Sequence, residues 1–120
     1  MTEYKIIEEA LSNSIMYASN IDKKVQALIR DGWQPAGEIC LSNFSYDDKS
    51  GTTWIAQSMI KKAGNITDYI LIYVNPGVNS IAVENYLLKG YELFGSLKSV
   101  GHGIYYQVVI KRIYLIPEIL

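Results

Sequence analysis

The sequence has almost no cysteine and almost no histidine. Cys40 and His102 are single examples of their kinds among 120 residues. One cysteine excludes an internal disulfide and any cysteine-based metal site. One histidine, with no nucleophile or acid pair placed beside it, gives no catalytic arrangement of the Ser/His/Asp type. Charge is also sparse. Only 19% of residues are charged and the formal net charge is -1, so no global basic field is available for nucleic acid or an anionic membrane. No apolar run approaches the length of a bilayer span. The opening MTEYKIIEEA lacks the basic start and apolar core of a signal peptide. The expectation is a cytoplasmic, non-membrane protein, with delivery into a host cell as a secreted effector as the other route. No Gly-rich phosphate loop or dinucleotide fingerprint is present, so no cofactor is expected.

What is present is a sentence written twice. RDGWQPAGEICLS, from Arg30, aligns with LKGYELFGSLKSV, from Leu88. Gly32 then meets Gly90, Trp33 meets Tyr91, Pro35 meets Leu93 and Gly37 meets Gly95. Upstream, Val25, Leu28 and Ile29 fall opposite Val83, Tyr86 and Leu87. That i, i+3, i+4 spacing marks one face of a helix. Asn20 or Asp22 are candidate caps for the first helix, and Asn79 or Ser80 for the second. Gly32 and Gly90 stand where a helix favours a left-handed terminal residue. Downstream, Gln57, Ile60 and Lys61 align with Gln107, Ile110 and Lys111. An opening strand precedes each helix, from Tyr4 and from Tyr69.

The expected fold is α+β: two tandem β-α-β-β repeats, spanning 4–62 and 68–112, with an apolar tail over 113–120, in a single domain of 1–120. One such unit cannot bury both its helix face and its sheet face alone. Two units side by side are expected to share a six-stranded antiparallel sheet with both helices on one face. In the second unit Leu97 should point inward and Lys98, at the position of Cys40, outward. YILIYV, from Tyr69, is apolar on both faces. Such a strand is usually covered on both. With helices on one side, the cover expected for the other is the tail, a partner or a second chain, hence a homo-oligomer such as a dimer.

The run of Tyr4-Lys5-Ile6, then a helix, then GWQPAG and WIAQSMIKK resembles a family of small bacterial and phage domains of unknown function. The resemblance covers Tyr4 to Lys62, and only Gly90, Gly95, Gln107 and Lys111 persist in the second copy. It implies architecture and carries no established activity. In size, composition and duplication the chain also resembles small effectors of intracellular bacteria such as Legionella. One class of these binds and inhibits sibling effectors that modify ubiquitin.

Two groups of residues stand out as candidate sites. The first lies in the long hairpin from Ser42 to Thr53: Phe44, Tyr46, Asp47 and Asp48, with Trp54 beyond it and His102 in a second turn. Aromatic anchors flanked by charge suit protein recognition. The two aspartates lack the alternating spacing of a calcium loop. The second group is Lys61, Lys62, Lys111 and Arg112 at equivalent strand ends, where four cations suit a phosphate-bearing ligand. Gln57 and Gln107 read as hydrogen-bonding residues within the sheet, and Trp33 and Tyr91 as packing residues. The leading expectation is a non-enzymatic protein-binding module, an inhibitor or regulator of a partner enzyme. The alternative is an oligomer that sequesters a nucleotide or phosphorylated signal.

Overall fold

The structure is a computed structural model in which residues 2–11, 19–44, 52–75, 81–101 and 103–113 are described. The first unit runs β1 (Glu3–Leu11), α1 (Ile21–Arg30), β2 (Trp33–Pro35), β3 (Cys40–Phe44) and β4 (Thr52–Lys61). The second runs β5 (Ile66–Val74), α2 (Ile81–Leu88), β6 (Glu92–Leu93), β7 (Lys98–Gly101) and β8 (Ile104–Arg112). In each unit the last strand is central: β4 pairs β1 on one side and β2 and β3 on the other, and β8 pairs β5, β6 and β7 in the same way. All these pairings are antiparallel, and the registers match. Tyr4 faces Ile60 as Tyr69 faces Ile110, and Cys40 faces Ala56 as Lys98 faces Tyr106.

The strand after each helix is broken in two, and the sequence explains where. Gly37 and Gly95 have φ of +107° and +84°, a region that L side chains rarely enter. Each glycine turns the chain out of the ladder and lets it rejoin the same central strand. A buried glutamine holds each break. Gln57 Nε2 donates to the Gly37 carbonyl at 2.8 Å and to the Ser58 carbonyl at 2.9 Å. Gln107 Nε2 donates to the Gly95 carbonyl at 3.2 Å and to the Val108 carbonyl at 2.9 Å. The glutamines thus serve as hydrogen-bonding residues, as their sequence positions indicated.

The two units do not share one sheet. There are two sheets of four strands, packed against each other. The reason lies at the free edge of β5, whose outward backbone groups are taken by α1. Tyr69 N–H donates to Gln26 Oε1 at 2.9 Å, Gln26 Nε2 donates to the Thr67 carbonyl at 2.7 Å, and Leu71 N–H donates to Asp22 Oδ2 at 3.2 Å. An edge satisfied by side chains has no reason to join another sheet. The helices therefore do not lie on one common face. α1 packs beside Tyr69 and Leu71 in the main core, whereas Ala82, Val83 and Tyr86 of α2 pack with Ile70, Ile72 and Val74 on the opposite side of β5.

This arrangement accounts for the doubly apolar strand. One face of β5 and β8 lies under α2; the other faces the first unit, where Tyr69, Tyr106, Val108 and Ile110 join Ile21, Val25, Trp33, Ile39, Ile55 and Met59 in one cluster. The first unit itself covers that second face; of the covers expected from the sequence (the tail, a partner or a second chain), the tail beyond Ile113 lies outside the described residues. The joint is partly polar. The Tyr69 hydroxyl donates to Gln57 Oε1 at 2.7 Å within the core. Burial, and secondarily the Asp22 carboxylate, push this phenol far above its ordinary range, so it stays a donor. At the rim, Glu38 takes the Lys98 ammonium, the Ser96 N–H and the Ser96 hydroxyl.

Capping of α1 differs from expectation. Asn20 occupies the cap position but makes no side-chain cap. Instead Ser19 Oγ accepts from Ile21 N–H at 3.1 Å, and Glu9 on β1 accepts from Asn20 N–H at 2.9 Å and from Ser19 Oγ at 3.0 Å. Glu9 also pairs with Lys24 at 3.1 Å. Burial alone would raise its carboxyl, but the Asn20 N–H, Lys24 and Ser19 outweigh that and hold it below the usual range. Asn79 and Ser80 lie outside the described residues. Gly32 and Gly90 end their helices with φ of +93° and +96°, as the sequence suggested.

Candidate protein-binding face

Side chains alternate along a strand, so each pairing above assigns two residues to one face. On the first sheet the face toward α1 carries Ile7, Leu11, Ile55, Gln57 and Met59, all in or beside the core. The opposite face carries Tyr4, Ile6, Glu8 and Ala10 on β1, facing Ile60, Ser58, Ala56 and Trp54 on β4. Cys40 and Ser42 on β3 continue it. Tyr4 is 61% exposed and Ile6 58% exposed. Trp54 and Ile60 are half-buried, and Cys40 and Ser42 are exposed. An aromatic and an aliphatic side chain sit side by side here in solvent, with a tryptophan at one end.

β1 has an inverted polarity. Its Lys5 and Glu9 point toward the core side, but at the rim, where each has a partner. The Lys5 ammonium lies 4.5 Å from the centroid of the buried Trp33 ring, a cation–π contact, and Glu9 caps α1. Glu8, its neighbour, points to the exposed face. The two glutamates therefore lie on opposite sides, as strand alternation requires.

Of the recognition group, Trp54 lies on this exposed face. Phe44 closes β3 opposite Thr52. Tyr46, Asp47, Asp48 and His102 lie outside the described residues. Tyr4 and Ile6 are not among the recognition residues expected from the sequence. Their signal is the alternation of β1 itself, obscured because Lys5, Glu8 and Glu9 make the strand look solvent-facing.

The four cations have different surroundings. Lys61 and Lys111 lie over the Trp33 and Tyr91 rings, 5.9 and 5.4 Å from the centroids. Arg112 is paired with Glu92 and donates to Asn65 Oδ1 at 3.0 Å. Lys62 lines a groove with Arg112, Gln34, Asn65 and Phe94, and the same groove holds Glu38. Trp33 is buried and Tyr91 half-buried, its hydroxyl donating to Asp68 at 2.9 Å, so both are packing residues. Leu97, expected inward, is 49% exposed; it stands at the place of the buried Ile39 but is left half uncovered.

Among the described residues no group of three or more His, Cys, Asp or Glu is placed to hold a metal ion. No described helix is long and apolar enough to cross a membrane. No family model, no curated protein and no solved structure matches this chain.

Proposed function

We propose that this protein is a protein-recognition module that docks a partner on the outer face of its first sheet. The observation that carries the reading is the exposure of Tyr4 and Ile6, 61% and 58%, on a paired sheet face that also holds Trp54 and Ile60. Clustered exposed apolar side chains are unusual on a protein that works alone, and aromatic anchors concentrate binding energy. A partner lying across β1 and β4 would also meet the β3–β4 hairpin at Ser42 and Trp54. If that partner is an enzyme, coverage of its substrate entrance would make the module an inhibitor.

Sequestration of a phosphorylated ligand has less support. An anion at the strand ends would compete with Glu92 for Arg112 and meet the Glu38 carboxylate beside Lys62.

Photo-crosslinking in the native cell tests the reading. A photoreactive residue at Ile6 should give a discrete protein adduct, and one at Lys23, exposed on α1, should give none. Absence of any protein adduct at Ile6, with the fold intact by circular dichroism, would overturn the proposal.

A further inference from the structure

We infer that the partner on this face is a second copy of the chain, docked head to tail through a repeat of the joint that the two units already make. The inference rests on the reading of the β1–β4 face as a protein-docking face. It comes from comparing equivalent positions in the two units.

Within the chain, the helix-bearing face of the first unit receives the helix-free face of the second. On the receiving side Pro35 and Ile39 are buried; on the inserted side Tyr69 is buried and Leu71 half-buried. Their equivalents have the opposite fate. Leu93 and Leu97, which stand for Pro35 and Ile39, are 54% and 49% exposed. Tyr4 and Ile6, which stand for Tyr69 and Leu71, are exposed as well. The chain therefore ends, on one side, with an uncovered receiving face and, on the other, with an uncovered inserting face. At these four positions the residue is apolar or aromatic, as its buried equivalent is.

The polar contacts extend in the same way. Tyr69 donates to Gln57 Oε1 across the internal joint. Gln107 repeats both Nε2 bonds of Gln57, and the position facing its Oε1 in the repeated joint belongs to the Tyr4 hydroxyl of the next copy. Gln26 accepts from Tyr69 N–H at the edge of β5. Glu84 holds the equivalent place on α2 and is exposed, and β1, like β5, is an edge strand. A glutamate there can accept from Tyr4 N–H. Both internal and external joints join unlike faces, so the contact is heterologous, which produces a ring or an open filament instead of an isologous dimer. Glu8, Ala56 and Ser58 replace Tyr73, Tyr106 and Val108 on the inserting face. The joint between copies is thus more polar than the internal one and should form reversibly with concentration.

Sedimentation of the full chain tests this with two variants at exposed positions. Wild-type protein should gain mass above the 13.5 kDa monomer as concentration rises. Ile6→Glu and Leu97→Glu should each be monomeric. Mixed together they should form a 1:1 dimer and nothing larger, since each keeps one good face. A wild-type chain that stays monomeric, a Leu97→Glu variant that still dimerises alone, or a mixture that stays apart would each overturn the inference. Circular dichroism melts confirm that the variants fold. A monomeric wild-type chain that still crosslinks another protein at Ile6 would sink self-docking and leave the recognition reading standing.

Discussion

Gln57→Ala is expected to destabilise the protein by about 3–5 kcal/mol. Gln57 is fully buried and makes hydrogen bonds in both directions. Truncation leaves the Gly37 carbonyl and the Tyr69 hydroxyl unpaired, at about 1–3 kcal/mol for each buried polar group. It also opens a cavity in a core that cannot collapse freely, because the break in the strand stands over it. For a chain of this size the loss should appear as a fall in melting temperature on the order of 10–20 °C. Gln107→Ala, at the equivalent place, should cost about 1–3 kcal/mol, since among the described residues no tyrosine bonds to Gln107. Urea denaturation of the two variants, measured as monomers, makes the comparison. Equal losses would contradict the assignment of Gln57 as the polar centre of the joint between units.

The second large effect is expected at Gly95. Its φ of +84° already penalises any side chain, by about 1–2 kcal/mol. A methyl group there would also overlap Glu38 Cβ and its carboxylate from the first unit. Cβ is the fixed base of that side chain, so relief requires the backbones of the two units to part. Overpacking of this kind adds about 1–3 kcal/mol, giving roughly 2–5 kcal/mol in all for Gly95→Ala. Gly37→Ala is the control. Its φ of +107° carries the same conformational penalty, but a methyl group there meets nothing within 4 Å. Its cost should be about 1–2 kcal/mol. Denaturant melts of both variants decide the matter, and a Gly37→Ala loss as large as that of Gly95→Ala would mean that the units are not in close contact at Glu38.

Much of the local fold is legible because it depends on neighbours in the chain. Helical spacing at Val25, Leu28 and Ile29, the terminal glycines, and the paired glutamines all announce themselves over a few residues. The division into two sheets is not local. It depends on Gln26 and Asp22, which read as ordinary exposed helix residues until Thr67, Tyr69 and Leu71 are brought beside them. YILIYV showed that both its faces needed cover, but nothing in its composition says that the first unit supplies one. The exposed face was hidden for a related reason. In β1 the polar residues Lys5 and Glu9 turn inward to a tryptophan ring and a helix end, so alternation of polarity points away from the true orientation. Leu97 shows the converse. Its face is right, and it is exposed because, among the described residues, no unit packs on it as the second unit packs on Ile39.

The account turns on one-way packing: the first unit's receiving face is covered, and the second unit's is bare. Thiol labelling of Ile39→Cys and Leu97→Cys, each in a Cys40→Ser background at a concentration where the chain is monomeric, measures this directly. Cysteine at a buried aliphatic position behaves as a small hydrophobe. Leu97→Cys should label nearly as fast as a free thiol. Ile39→Cys should label about 100-fold more slowly or less, since access requires the units to open. Equal labelling rates at the two positions would contradict the account.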